Sequence, residues 1–459
     1  MLFRSSFDTR RINANASGGT DRGDYYVSFN DFVTDGINSQ TADIALRDRD
    51  GARNKTWHTK LGLNLDNDWR LQLVAHNVDA RTQYDGCFHP ITFAIVHDCV
   101  GTTDQTTYRI SAEQSGEKLT HAFGYSDTDI RHDNRSQGAD AFASHGQLGR
   151  FEYTGSYRPA KGQTLIYGLD LQDERVVADE SQQRDQNALY VEYEGELAKG
   201  VFFTAGTRRD DNDDFGAHTS SRVSLAVVRA LRDGDTLKYR ASYGTGFRAP
   251  SLYEIAYNRG PSSYPPAAGF VLGPEASKGY DVGLEFDTAH GLHFEATLFD
   301  QKITDEVYFD LATFSGYLQS PGDSHSQGLE IGLRAPLGKR LALLANLTSN
   351  ETADTTNAQR LRRPKLYGNV GVQFATAGSL RLLVNARFAR DAVDIDPVNF
   401  VDHVPLPDYT VVDASVNYTL TKQLELYGRV ENAFDESYTE AIGFNTAGRA
   451  AYLGFRVHF

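Results

Sequence analysis

The chain has 459 residues, of which 40% are hydrophobic, 23% charged and 11% aromatic, and it carries a formal charge of −15. No stretch approaches the ~18 consecutive apolar residues of a spanning helix, which excludes a helical membrane protein, and the acidic balance argues against a nucleic-acid backbone as partner, since that binding needs clustered Lys and Arg. Twenty-six Phe, 24 Tyr and 2 Trp are too many for a disordered chain, so a large folded molecule with a mean hydropathy of −0.47 has to be explained.

In chain order, the N-terminal segment MLFRSSFDTRR lacks the apolar core of ~7 to 15 residues that a signal peptide carries. A first strand is expected over residues 6–18, with only MLFRS before it to act as a partner. Strict period-two alternation then dominates. In YVEYEGEL, Val191, Tyr193 and Leu197 alternate with Glu192, Glu194 and Glu196; in YDVGLEFD, Tyr280, Val282, Leu284 and Phe286 alternate with Asp281, Gly283, Glu285 and Asp287. LHFEATL and YTVVDASVNYTL repeat the pattern around Leu298 and Val416. Such segments are strands with one apolar and one polar face. No convincing amphipathic helix interrupts them, which leaves an all-β chain with antiparallel neighbours.

Short turn chemistry at residues 65–68, 158–162, 232–235 and 287–291 alternates with long polar segments at 35–56, 85–106, 131–144, 210–220, 249–276, 391–408 and 435–449. One rim with tight turns and another with long loops is the layout of a transmembrane antiparallel β-barrel, with short periplasmic turns and long extracellular loops. About 21 strands are visible. Because bacterial single-chain barrels have even numbers, about 22 strands are expected, with the first strand cut short. Hydrocarbon cannot solvate Glu192 or Asp413, so the apolar faces must point outward to lipid and the carboxylate faces inward to water.

Cys87 and Cys99 lie twelve residues apart in DGCFHPITFAIVHDC, a spacing that fits no four-ligand zinc arrangement; a disulfide in an oxidising compartment is expected over two free thiols. Tyr84, Phe88, Tyr253, Tyr257, Tyr264 and Phe270 fall in or beside the long loops, where they serve either as a platform for a large ring-bearing ligand or as part of an interfacial aromatic girdle. Arg208, Arg209, Asp210 and Asp211 form a compact charge cluster that is either structural or touches ligand. Neither HExxH nor GxSxG occurs, and Gly244, Gly246 and Ala249 match a dinucleotide fingerprint without the helix that would hold a pyrophosphate, so no enzyme is expected.

Several of these segments resemble TonB-dependent outer-membrane receptors, and most of all their cobalamin branch. The residues are YGTGFRAPSLYEIAY (243–257) followed by LGPEASKGYDVGLEF (272–286) with Pro274, Glu275 and Ser277; TRRDDNDDFGAH (207–218); SQGLEIGL (326–333); LRRPKLY (361–367); and the closing VENAFDESYTEAIGFNTAGRAAYLGFRVHF (430–459). The resemblance implies one receptor barrel domain over residues 1–459, without the signal peptide, TonB-binding box and plug that family members carry ahead of it. It implies an outer-membrane transporter, surrounded by lipid and lipopolysaccharide and monomeric, taking up cobalamin first and ferric siderophores second. TonB would act through the missing N-terminal part, and a plugless passive porin is the rival. It implies no required cofactor, but a structural calcium on external-loop carboxylates, for which Asp85, Asp98 and Asp104 are the candidates, solvated loop acids being the alternative. Ligand contacts would come from Tyr84, Phe88, Tyr253, Tyr257, Tyr264, Arg208 and Arg209, and Phe459 resembles the terminal aromatic read by the barrel assembly machinery.

Overall fold

The computed structural model describes residues 2–178, 180–376, 378–396, 399 and 401–459; Met1 and three residues of the expected 391–408 loop (397, 398 and 400) lie outside them. Twenty-one strands, from Arg10–Thr20 to Ala450–Val457, form a continuous antiparallel series in which each pairs with the next. The four-residue strand Leu2–Ser5 pairs on one side with Arg10–Thr20 and on the other with Ala450–Val457, making a 22-stranded sheet whose hydrogen-bonded ladder returns to its start. The expected first strand over 6–18 is thereby corrected. Ser6–Asp8 is a 3-10 turn with Phe7 at φ 61°, and Leu2–Ser5 supplies the neighbour that the pattern demanded.

The loops segregate by rim. Arg10–Thr20 and Gly23–Thr34 are joined by two residues and Ser181–Ala198 and Val201–Asn212 by two more, whereas at the other rim residues 35–51, 249–274, 391–408 and 432–449 intervene. Two expected long loops are not loops. Leu119–Ser136 and Ala139–Tyr157 run on as a hairpin closed by Gln137 and Gly138, both at positive φ, and Val201–Asn212 turns into Gly216–Ala230 through three residues. These strands are up to 19 residues long, well beyond the ~9–11 that cross hydrocarbon. Their outer ends meet water on both faces, so they read as polar as any loop.

A second correction concerns helices. Leu252–Arg259 forms one, started by Ser251, whose hydroxyl accepts from the Glu254 N–H at 3.1 Å while the Glu254 carboxylate accepts from the Ser251 N–H at 2.6 Å. This reciprocal cap satisfies two N-terminal donors. Leu252, Ala256 and Asn258 are buried. The helix packs against Gln163–Val177 and Ser181–Ala198 and also against Tyr317–Pro336, with five strands between the last two in sheet order. A segment joining separated points of a curved wall lies on its concave side, so the helix is a chord across the extracellular mouth.

That chord identifies the inner face. Arg184 Nη1 donates to the Pro250 carbonyl at 2.8 Å, so Ala188, Tyr190 and Glu192 share its inward side by alternation, while Leu189 and Val191 point out. Inward charges pair across strands: Arg150 with Asp170 at 2.5 Å, Arg222 with Glu192 at 2.6 Å, Lys238 with Glu285 at 3.0 Å. Among the described residues, ten apolar side chains are buried against sixteen polar or charged ones, and Leu189, Val282, Leu298 and Leu453 are each more than half exposed. The apolar surface therefore faces out, which explains the low hydropathy of a folded chain.

Leu298 sits in register between Val282 and Leu329 on this outer face. Leu298→Arg is expected to lower stability in lipid vesicles by about 2–4 kcal/mol, measured by denaturant unfolding, whereas Gln301→Arg on the inner face of the same strand should change it little. Equal effects would contradict the assignment of faces.

Candidate functional site

At the extracellular rim the loops build two neighbourhoods. The first surrounds the helix. Tyr253 and Tyr257, one turn apart, pack with Phe142, Phe309 and Tyr317: Tyr253 lies 6.0 Å from Phe142, and Tyr257 lies 5.7 Å from both Phe309 and Tyr317, near edge-on. Edge-to-face stacking at these separations adds to the gain from burial. Asn258 locks the helix to the wall, donating to the Tyr317 carbonyl at 2.7 Å and accepting from its N–H at 2.8 Å. Tyr264, half exposed, donates its hydroxyl to the Thr313 carbonyl, and Phe270 is exposed at the end of the same loop. The 310–316 loop is organised by Asp310, which accepts from the N–H groups of Ala312 and Thr313 and from the hydroxyls of Thr313 and Ser315. Those bonds, led by the Thr313 hydroxyl, hold its carboxyl below the usual range. Beyond it opens a cavity of about 700 Å³ whose lining includes apolar Phe309, Leu311 and Ile395, basic Arg360, Arg363 and His403, and acidic Glu306, Asp354 and Asp402.

The second neighbourhood joins residues 35–51, 85–98 and 432–449. Gln40 and Phe444 form a β-bridge, Thr41 N–H donates to Gly443 at 3.0 Å and Asn445 N–H to Ser39 at 3.0 Å. Cys87 and Cys99 are joined by a disulfide whose loop presents Phe88, Ile91, Phe93 and Ile95 to solvent. Opening this twelve-residue bridge by Cys87→Ser with Cys99→Ser is expected to cost about 2–3 kcal/mol of loop stability, read by hydrogen exchange over residues 85–99. Reduction before alkylation should also add two alkyl groups to the wild-type mass; an unchanged mass would mean free thiols.

Asp85 is buried at the base of this loop. Its Oδ2 accepts from the Ser39 hydroxyl and the Gln40 N–H, both at 3.1 Å. Its Oδ1, 3.7 Å from His97 Nδ1, has no hydrogen-bond partner, and neither does that nitrogen. Oxygens of Asp43, Asp48 and Asp85 lie within 4.8 Å of one another. Burial, and next the charge of Asp50, push the Asp85 carboxyl above its ordinary range.

Not all candidates converge. Asp98 and Asp104 are exposed and stand outside this carboxylate group: Asp98 lies at the end of the disulfide loop, next to Cys99, and Asp104 sits on the Cys99–Ser115 strand between Asp79 and Arg131. Arg208 and Arg209 separate by alternation. Arg208 faces inward, bound to Asp210 at 2.8 Å and near Asp170 at 3.5 Å, whereas Arg209 and Asp211 are exposed on the other face. Tyr84 and Phe88 belong to the disulfide neighbourhood and Tyr253, Tyr257 and Tyr264 to the helix one, so the six loop aromatics form no single platform. Phe459 is fully exposed at the tight-turn rim. Sequence reasoning missed Asp43 and Asp48, although the acidic run DIALRDRD held them, and the helix, although Ser251-Leu-Tyr-Glu254 is a capping-box signature. It also missed Asp394, which is fully buried, accepts from Arg362 Nε at 2.8 Å and from the Ile442 N–H at 2.8 Å, and so ties together three loops.

Comparison with known proteins follows the same lines. The family described as TonB dependent receptor-like, beta-barrel matches residues 3–433. The vitamin B12 transporter BtuB of Vibrio cholerae is 25% identical over 302 residues, 64% of this chain and 46% of that protein. BtuB of Photobacterium profundum is 24% identical over 421 residues, 88% of this chain and 64% of that protein. The iron-regulated outer membrane virulence protein of Vibrio cholerae is 23% identical over 444 residues, 87% of this chain and 65% of that protein. The chain thus spans about half to two thirds of the length of these relatives. Among solved structures, the ferric enterobactin receptor PfeA of Pseudomonas aeruginosa superposes with a TM-score of 0.81 at 16% identity, covering 100% of this chain and 79% of that one, and the siderophore receptor PirA of the same organism with 0.74 at 20%, covering 100% and 79%.

Proposed function

The chain belongs to the TonB-dependent receptor β-barrel family, and from that premise we propose that it forms the wall and external loops of a receptor importing a large, scarce nutrient, cobalamin first, by TonB-dependent active uptake. Members are transport receptors of the Gram-negative outer membrane, not enzymes. The observation that carries the cobalamin reading is the carboxylate group at Asp43, Asp48 and Asp85, in a chain related over 88% of its length to a vitamin B12 transporter. A siderophore reading stands beside it, supported by the similarity to the iron-regulated virulence protein.

The donors fit a hard cation such as calcium. Three convergent carboxylates supply oxygen ligands, and a buried oxygen without a partner, Asp85 Oδ1, is what an ion would satisfy. Asp43, Asp48 and Asp85 would hold it. Its charge would offset the repulsion among the acids and order the loops that meet the ligand; Asp98 and Asp104 are not proposed as ligands. For the ligand, the loop aromatics Tyr253 and Tyr257 with Tyr317 offer the apolar surface. Energy for release into the periplasm would come from TonB.

The test is equilibrium binding of cyanocobalamin and of a ferric catecholate to the detergent-solubilised chain in calcium. Cobalamin binding supports the first reading; ferric chelate binding alone replaces it with the second. Large steady conductance in planar bilayers with neither ligand bound would favour a passive pore.

A further inference from the structure

Most of the histidine rings whose contacts are described have a polar partner: His121 meets the Tyr153 hydroxyl, His132 the Thr103 hydroxyl, His145 Asp129, His293 Asp287 and His403 the Gln359 carbonyl. His58 and His76 do not. They stand directly opposite each other on Ala52–Asn64 and Trp69–Tyr84, with ring centroids 5.7 Å apart in an edge arrangement, and neither ring has a hydrogen bond or ion pair among the described residues. Alternation puts both on the inner face, because Trp57, Leu61, Leu71 and Leu73 on the same strands form the exposed apolar side. Their row across the wall continues through Ser28 on one side and Thr107 and Thr128 on the other. Tyr26 leans over His58 at 5.9 Å, and Lys60 follows two residues along the same face.

A neutral imidazole keeps a lone pair on one nitrogen and is the commonest side-chain ligand for borderline divalent ions. An ion about 2.0–2.1 Å from a ring nitrogen lies roughly 3.2 Å from the ring centre, so one ion can bridge centroids up to roughly 6.4 Å apart. The observed 5.7 Å falls within that span. Both donors are fixed by a strand ladder, so little ordering is needed on binding. Hard cations want oxygen and go to the carboxylates at the rim; the imidazoles want a softer ion.

We infer that His58 and His76 form a bidentate site on the lumen wall for a divalent transition-metal ion, Cu²⁺ most tightly, with water filling the remaining positions. The Irving–Williams order sets that ranking for any such nitrogen site. The site lies on the inner wall, distinct from the Asp85 group at the rim, and it does not depend on which nutrient the receptor carries.

The test is titration of the detergent-solubilised chain with Cu²⁺ in excess calcium, followed by electron paramagnetic resonance. One ion per chain with superhyperfine splitting from two nitrogens is expected, and His58→Gln or His76→Gln should each weaken binding by at least ~10-fold with loss of one nitrogen from the spectrum. Heat-modifiable migration in gels verifies that each variant is folded. Should a variant not fold, protection of both histidines from diethyl pyrocarbonate by Ni²⁺ in the unaltered chain decides the matter. Unchanged Cu²⁺ affinity in the folded double variant, a spectrum without nitrogen splitting, or no protection overturns the site.

Discussion

Asp85→Asn is expected to weaken calcium binding by the chain by ~100-fold or more, equivalent to about 2.7 kcal/mol, and to leave residues 35–51 and 85–98 exchanging amide protons freely even in saturating calcium. Asp85 has a buried Oδ1 with no partner, and Asp43 and Asp48 converge on it. The substitution keeps size and removes charge, and calcium affinity follows the count of charged oxygens. The pH dependence can be signed. Because burial and Asp50 raise the Asp85 carboxyl in the folded state, its neutral form is the one folding favours. The group therefore helps the folded loops most at low pH, and that contribution is lost as pH rises from the unfolded value through the raised folded one. Without calcium the loops should be best protected in mild acid and loosen toward neutrality; with calcium the order reverses, because the ion needs the carboxylate. Calcium affinity should in turn begin to fall at a higher pH than an ordinary aspartate would give. Isothermal titration across pH and hydrogen exchange measure both, and calcium binding by D85N equal to that of the parent chain would remove Asp85 from the site.

Arg362→Met is the second large effect. It strands the carboxylate of Asp394, which is fully buried and otherwise accepts only the Ile442 N–H among its described bonds. Breaking a fully buried pair costs about 3–5 kcal/mol; the Arg362 side chain is 49% exposed, so about 1–3 kcal/mol is expected here. The loss should be local, because this contact and the Arg362 N–H to Val393 bond at 2.7 Å tie residues 354–365 to the loops holding Asp394 and Ile442. Limited proteolysis of those loops should quicken while the strand ladder stays protected. Adding Asp394→Leu to the same chain should recover much of the loss, since no charge then remains buried. If the double variant is as labile as Arg362→Met alone, the pair is not what fastens the loops.

Much of the wall was legible. Val191 against Glu192 and Val282 against Asp281 specify a face each, since lipid tolerates only one of the two, and Leu298 with its neighbours follows. Tight turns such as 65–68 mark one rim because a two-sided strand can reverse there in a few residues. The cysteine pair also announced itself by spacing. Polar composition failed beyond the membrane. Residues 131–144 and 210–220 are polar on both faces because these strand ends stand in water beyond the lipid, so hairpin and loop look alike until cross-strand partners such as Asp133 and Ala143 are known.

By itself, then, the sequence determined an all-β wall with an apolar outside, a charged inside and loops gathered on one rim. Those features follow from period-two alternation and local turn chemistry, which are properties of neighbouring residues. Only the tertiary structure decided which loop residues meet. It placed Asp43 and Asp48 against Asp85 and laid the Leu252–Arg259 helix between Ser181–Ala198 and Tyr317–Pro336 at the mouth. Contacts between residues about 40 to 100 apart depend on the curvature of the whole sheet, and no local pattern encodes that curvature.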